Sequence, residues 1–340
     1  MFNFCTLFDS FYLTRGLAMY RSLEKVCDNF HLYIFAFDDK SYELLNKLAL
    51  RKATIIPLKE FEDDRLLAVK PGRSKAEYCW TCTPSTILYV IEKFGVPSCT
   101  YLDADLYFYQ DPGVLFEEMG DRSILLTEHR YPPRFNRTAS SGIYCVQFIT
   151  FVNDKNGMEA LRWWRDACIA WCYDRYEDGK FGDQKYLDDW LQRFKGVHVL
   201  QHLGGGLACW NVEQYPLISR KGNRILFRDK AANSEFEAIF YHFHHVRFFL
   251  NDIVDLGWRH PTMPVVEQLY APYIIELQEI EREVKRVDPA FDIPLKKFTL
   301  IHNEGIRGKI KYLIKMVGRY NVFNTKRLIE KYKAAREVQP

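Results

Sequence analysis

The sequence holds no apolar run near the ~20 residues that a membrane-crossing helix needs, which excludes a bilayer-spanning reading of these 340 residues. No Gly-Lys-Ser/Thr follows a glycine-rich loop, so the phosphate cradle of a P-loop is excluded as well. The opening, MFNFCTLFDS, lacks a basic segment and a small-residue cleavage site; no signal peptide is expected, and the location reads as cytoplasmic. Cysteine is too scattered for a disulfide scaffold. The nine (5, 27, 79, 82, 99, 145, 168, 172, 209) are odd in number and sit among apolar residues, and in a reducing compartment they read as small buried hydrophobes. CWTC (79–82) and CIAWC (168–172) offer neither the two tight pairs of a structural zinc site nor the preceding strand of a redox motif. A strong charge of one sign is also missing: 47 Lys and Arg face 44 Asp and Glu, and no nucleic-acid partner is expected.

What remains is an ordinary globular composition, 48% hydrophobic, long enough for one large domain plus an appendage. Through residue 255 strand-like and helix-like stretches alternate. FNFCTLF (2–8), FHLYIFAF (30–37), ATIIPL (53–58), SCTYLDADLYF (98–108), SILLTEH (123–129) and YCVQFITFVN (144–153) read as strands, some apolar throughout as in strands buried on both faces. TRGLAMYRSLEKV, KSYELLNKLAL, EYCWTCTPSTILYVIEKFG and GMEALRWWRDACIAWCYDRY have helical spacing, the third closing at Gly95. This order predicts an α/β sandwich around a mostly parallel sheet, whose ligands bind beyond the carboxyl ends of the strands.

Residues 256–340 lose the strand signal and read as a separate basic helical region. VVEQLYAPYIIELQEIEREVKRV, GKIKYLIKMVGRYN and TKRLIEKYKAAREV are its helices. From Lys285 onward 14 Lys and Arg stand against 5 Asp and Glu, leaving the first 284 residues near −6. Basic amphipathic helices suit peripheral docking on an anionic membrane face, or packing on the catalytic domain.

Four stretches could carry chemistry. In YLDADLYFYQDP (101–112) an apolar run delivers Asp103 and Asp105 one residue apart. Such a pair can share a Mg²⁺ or Mn²⁺ that also takes substrate phosphates, supply a nucleophile, or simply begin a loop. Tyr107 counts against the nucleophile, because phosphatase-type sites want Thr or Val there. FGDQKYLDDW (181–190) combines a turn at Gly182 with Asp183 and Gln184; Asp183 also fits the N-cap of a helix QKYLDDWLQRF. IFYHFHHVRFF (239–249) groups three histidines, and a neutral imidazole can complete a shell begun by two carboxylates. HLGGGLACWN (202–211) permits close backbone approach to a ligand, at Gly205 for example, or a flexible turn.

The order of these pieces resembles nucleotide-sugar-dependent glycosyltransferases of the GT-A fold, a Rossmann-like α/β/α sandwich, above all the glycosyltransferase family 8-like group. The resemblance covers about residues 2–250. FCTLFDSFYLTRGLAMYRSL is similar to the group's nucleoside-binding strand and loop, which implies Thr6, Leu7, Asp9 and Tyr12 as nucleoside contacts. RSKAEYCW implies Arg73, Lys75 and Glu77 toward the donor. YLDADLYF matches the metal-binding Asp-x-Asp strand, implying Asp103, Ala104 and Asp105 against the donor diphosphate. YHFHHVRF implies His242 as third metal ligand, with His244 as the alternative. FGDQKYLDD implies Asp183 and Gln184 at the reacting carbon. The chain departs from the group in three places, one of them the absence of the group's Lys-Pro-Trp after the histidine segment. His245 replaces its glycine, and YCVQFITF replaces its Asn-Ser-Gly strand, leaving Gln147 as the polar substitute.

The resemblance implies a metal-dependent hexosyltransferase using Mn²⁺ or Mg²⁺. Its donor would be a nucleotide-diphosphate sugar, with UDP favoured, and its acceptor a glycan or lipid-linked saccharide. Transfer would retain configuration, in bacterial surface polysaccharide or lipopolysaccharide synthesis; in an inverting enzyme Asp183 or Asp188 could act as general base. Two other classes stay open. A nucleotidyltransferase would normally show a glycine-rich loop after the first strand, where FDSFYLTRG stands. A non-catalytic carbohydrate-binding protein would use the many aromatics as stacking platforms.

Overall fold

A computed structural model describes residues 1–257, 261–293, 295–296 and 321–337. The chain forms two compact units. The first comprises 1–207 and 236–242, and the second 208–235 and 243–340. The division is therefore discontinuous in sequence.

The first unit is a mixed α/β structure around strands β1 (Phe2–Phe8), β2 (Phe30–Ala36), β3 (Ala53–Pro57), β4 (Ser98–Leu102), β5 (Leu106–Phe108), β6 (Ile124–Glu128), β7 (Tyr144–Val152), β8 (Val197–Val199) and β9 (Gly205–Ala208). Seven of them make one sheet in the order β3-β2-β1-β4-β7-β6-β8. β1, β2, β3 and β4 run parallel, as do β6 and β8. Only β7 is antiparallel, to β4 and to β6. Apolar residues on both faces explain these strands: β7 is buried from Tyr144 to Phe151, so its one threonine must pair, and Thr150 meets Thr100 at 2.8 Å.

The helices Lys75–Phe94 and Lys155–Ala170 pack together on this sheet. The first begins at a capping box, Ser74 with Glu77, and ends at Gly95 with φ 63°. The second begins with Asp154 accepting from the Gly157 N–H at 2.8 Å. It stops at Ala170 rather than running on to Tyr176, because Trp171 turns extended. Between helices and sheet lies an aromatic core in which Trp164 and Trp190 meet edge-on at 5.8 Å. Cys79 and Cys82 lie in the longer helix, Cys82 fully buried and Cys79 packed against the core. All nine cysteines are free thiols. Burial pushes the Cys79 thiol up to about 12 and Cys82 well above its usual value, as expected of inert buried groups.

In the second unit β10 (Leu217–Lys221) and β11 (Arg224–Asp229) form an antiparallel hairpin. The chain then passes through β12 (Ser234–Glu237) and returns to the first unit as β13 (Phe240–His242). β14 (Arg247–Phe249), β15 (Ile253–Asp255) and β16 (Val322–Asn324) make an antiparallel sheet. β16 lies within the region that the sequence pattern assigns to helix alone; three residues are too few to show alternation. The helices expected around 265–287 and 325–338 are present as Ala271–Val287, extended by a preceding π turn, and Thr325–Glu337. The expected helix at 308–321 lies almost entirely outside the described residues. No helix among the described residues is long and apolar enough to cross a membrane.

Candidate active site

YLDADLYF is not one strand. β4 ends at Leu102, residues 103–105 turn, and β5 starts at Leu106. The turn is held by the Leu106 N–H donating to the Asp103 carbonyl at 3.2 Å, while the Asp103 N–H donates to the Gln147 carbonyl at 3.0 Å. β5 then pairs antiparallel with β13, and the register sets His242 opposite Leu106. Two chain segments remote in sequence thereby place one imidazole beside both carboxylates.

His242 Nε2 lies 2.9 Å from Asp105 Oδ1 and 3.7 Å from Asp103 Oδ2. On the other side of the ring, Nδ1 meets Gln147 Oε1 at 2.7 Å. Burial alone depresses the His242 pKa, but the adjacent Asp105 and Asp103 carboxylates raise it well above the usual imidazole value. Asp103 keeps 30% of its side chain exposed; even so, desolvation lifts its carboxyl to about 6, against the pull of His242. Asp183, almost fully buried, is pushed up to about 8 by desolvation and then by Asp103. The first unit thus gathers carboxylates whose burial makes ionisation costly, Asp183 most of all.

The donor set fits a divalent cation. Neighbouring ligand atoms around an octahedral ion with ~2.1 Å bonds are separated by about 3 Å, close to the observed Asp105–His242 spacing. If Gln147 Oε1 accepts from Nδ1–H, the Nε2 lone pair points at the carboxylates, the arrangement a metal-ligating histidine needs. Asp105 and His242, with Asp103 or, as the alternative, His244, would hold the ion. His244, the alternative, belongs to the second unit, where its ring lies 5.7 Å from that of Trp210.

Asp183 is placed through its backbone, its carbonyl accepting from the buried Trp164 Nε1 at 2.8 Å. Gly182 before it adopts φ 51°, a left-handed conformation that favours glycine. Gln184 turns its amide to the Ser141 carbonyl at 2.6 Å. Asp188 accepts from the Ile143 N–H at 2.7 Å and pairs with Lys185 at 2.6 Å. The stretch 184–194 is a 3₁₀ turn followed by a four-residue helix. Asp183 is not its N-cap: Gln184 occupies that position and makes no capping bond.

The implied nucleoside contacts lie at the carboxyl end of β1. Thr6 and Leu7 are buried there, and the Thr6 hydroxyl has no partner among the described residues. Asp9 accepts from the Phe11 and Tyr12 N–H groups and pairs with Lys75 at 3.3 Å. Arg73 stacks on Tyr173 at 3.8 Å, and Glu77 is engaged by Ser74 and by the Asp174 N–H. Gly205 is a packing glycine, since a Cβ there would come within 2.6 Å of Leu200.

No family model matches the sequence. The Bacillus subtilis (strain 168) protein YfnD, itself uncharacterized, is 33% identical over 296 residues, covering 85% of this chain and 93% of its own. YfnF of the same organism, also uncharacterized, is 31% identical over 299 residues, covering 85% and 96%. The chain belongs to the family of YfnD and YfnF. Solved structures similar to this YfnD-family chain include the glycosyltransferase GlyE of Streptococcus pneumoniae TIGR4 (16% identity, TM-score 0.41, 60% of this chain and 46% of that one). The galactosyltransferase LgtC (13%, 0.39, 58% and 72%) and the bifunctional glycosyltransferase WbbM (12%, 0.49, 85% and 52%) are two more. The chain spans about half the length of GlyE and of WbbM.

Two residues near Gln147 in this YfnD-family chain were not singled out from the sequence. Arg130, itself at φ 51°, holds the carbonyls of Leu200, His202 and Leu203. Gly206, at φ 137°, turns its bare Cα toward Gln147 and Arg130. The three-glycine run drew notice to this loop, but not to Gly206 in particular; an isolated arginine carries no sequence signal.

The Asp183 shift has a definite sign. Its folded pKa of about 8 lies above the unfolded value of about 3.9. The native state therefore holds a proton that the unfolded chain gives up first, and stability declines with rising pH between these values. The contribution is complete below pH ~4 and gone above about 8. Asp183→Asn should flatten this stretch of the metal-free stability profile, read by urea unfolding at pH 5, 7 and 9. An unchanged slope would assign the effect elsewhere.

Proposed function

We propose that the chain is a GT-A glycosyltransferase of the family 8-like kind, moving a sugar from a nucleotide-diphosphate donor, UDP favoured, to a glycan or lipid-linked saccharide with retention. The observation that carries this reading is the convergence of Asp103, Asp105 and His242 at the carboxyl end of β4, beside Asp183 with its raised pKa. A bound Mn²⁺ or Mg²⁺ would stabilise negative charge on the departing diphosphate. Asp103, Asp105 and His242 bind and orient that end of the donor. The end of β1, with Asp9, Tyr12 and Lys75, supports placement of the nucleoside, while Gln184 steadies the loop that carries Asp183.

Incubation with UDP-glucose or UDP-galactose, Mn²⁺ and a saccharide acceptor tests the reading. Glycosyl transfer releases UDP with a new glycoside, whereas release of pyrophosphate would make the chain a nucleotidyltransferase. No metal-dependent turnover of any sugar nucleotide would leave a carbohydrate-binding protein. Bacterial surface polysaccharide or lipopolysaccharide synthesis fits a cytoplasmic enzyme with a basic C-terminal region near lipid-linked acceptors. Unchanged partition onto anionic vesicles after deletion of residues 300–340 would remove peripheral membrane docking.

A further inference from the structure

The outward face of the β10–β11 hairpin is basic. Ile225 and Phe227 of β11 are fully buried, so strand alternation turns Arg224, Leu226 and Arg228 to the other face. Pairing sets Ser219 opposite Leu226 and Lys221 opposite Arg224. Two cations thus stand side by side, where a strand pair gains from opposite charges and loses from like ones. The connection between them is a two-residue turn, Gly222 with φ 60° followed by Asn223. Arg220 stiffens this tip by donating to the Gly222 carbonyl at 3.0 Å and to the Gln268 carbonyl. Lys221, Arg224, Arg228 and Lys230 are all exposed. From 217 to 230 five Lys and Arg stand against Asp229 alone, and Glu235 of β12 offsets Arg228 at 2.6 Å. Among these cations Ile218, at a bulge in β10, keeps 40% of its surface exposed, and Leu226 is half-buried.

We propose that this hairpin docks on an anionic phospholipid surface, as an element separate from the basic C-terminal region. Lys221, Arg224 and Lys230 meet the headgroup phosphates, and Ile218 enters the headgroup layer between them. A soluble polyanion would answer the charges but would leave Ile218 in water; apolar surface set among cations suits a lipid interface. The tight turn holds the tip in place beforehand, so docking orders little that is not already ordered. The proposal does not rest on the glycosyl-transfer reading, because it concerns where the chain is held and not what it catalyses.

Co-sedimentation of the full chain with vesicles tests it, using phosphatidylcholine alone and phosphatidylcholine mixed with phosphatidylglycerol. The wild-type chain should bind the mixed vesicles only, and more weakly as NaCl is raised. The triple variant Lys221→Gln, Arg224→Gln, Lys230→Gln should lower partition about a hundredfold, at roughly fivefold for each cation near an anionic surface. Ile218→Ser leaves the charge untouched and should still lower partition about three- to tenfold through lost apolar burial. Lys47→Gln, Arg51→Gln, Lys59→Gln removes the same charge from exposed positions of the first unit, and should leave partition within about twofold of wild type. Circular dichroism and urea unfolding check that each variant is folded. No binding of the wild-type chain to the mixed vesicles overturns the proposal, as does undiminished partition of the hairpin triple variant. An equal loss in the first-unit control would reduce the effect to net charge, and full binding by Ile218→Ser would reduce it to contact with any polyanion; either result also overturns it.

Discussion

Replacing Asp105 or His242 by Ala should lower Mn²⁺-dependent turnover of a UDP-hexose about a hundred- to thousandfold, the scale of losing one preorganised group that stabilises developing charge. These two form the tight pair of the site, 2.9 Å apart and both buried. Removing either leaves the other buried without its partner, so Mn²⁺ affinity should fall along with kcat. Asp103→Ala should cost less, because Asp103 is more exposed and 3.7 Å from the ring. Turnover and Mn²⁺ titrations on folded variants check this, with circular dichroism as the folding control. Undiminished turnover in both Asp105→Ala and His242→Ala would end the metal assignment.

Gly204→Ala should be among the most destabilising single substitutions in the first unit. A Cβ at 204 would stand 2.0 Å from the Glu237 carbonyl oxygen, backbone that cannot swing aside as a flexible side chain can. The Gly204 carbonyl also accepts from the Ile239 and Phe240 N–H groups at 3.0 and 3.2 Å. Pushing the two segments apart thus breaks hydrogen bonds at the start of β13 as well as packing. Overpacking alone costs about 1–3 kcal/mol, and a loss at or above the top of that range is expected from urea unfolding. Because β13 carries His242, Mn²⁺ affinity should fall in whatever protein remains folded. Gly72, with nothing within 4 Å of its Cβ position, is the control: Gly72→Ala should leave both readings unchanged.

Local pattern made the central sheet legible, since β1, β2, β3, β4, β6 and β7 are each an apolar run that no other element accommodates. The reversed direction of β7 was not legible, because either direction buries the same side chains. Periodicity likewise could not break YLDADLYF at Leu102, where one continuous strand looks the same. The break matters, since the turn at 103–105 is what aims both aspartates at one imidazole. That His242 rather than His244 opposes Leu106 is a matter of register, fixed by pairing between distant segments. Asp183 was conspicuous beside Gly182, but its burial beneath Trp164 depends on tertiary packing.

The excursion of the chain between β9 and β13 has a consequence for how the protein is made. The chain leaves the first unit after Leu207 and re-enters it at Phe236, and the partners Gln147 and His242 are 95 residues apart. During synthesis the seven-stranded sheet can assemble while β13 is still absent, so the cluster of Asp103, Asp105 and His242 is completed late, by a contact that closes a long loop. A cation bound there would clip that loop shut and add its binding free energy to the folded state. Refolding should then show a slow step that Mn²⁺ stabilises only after the sheet has formed.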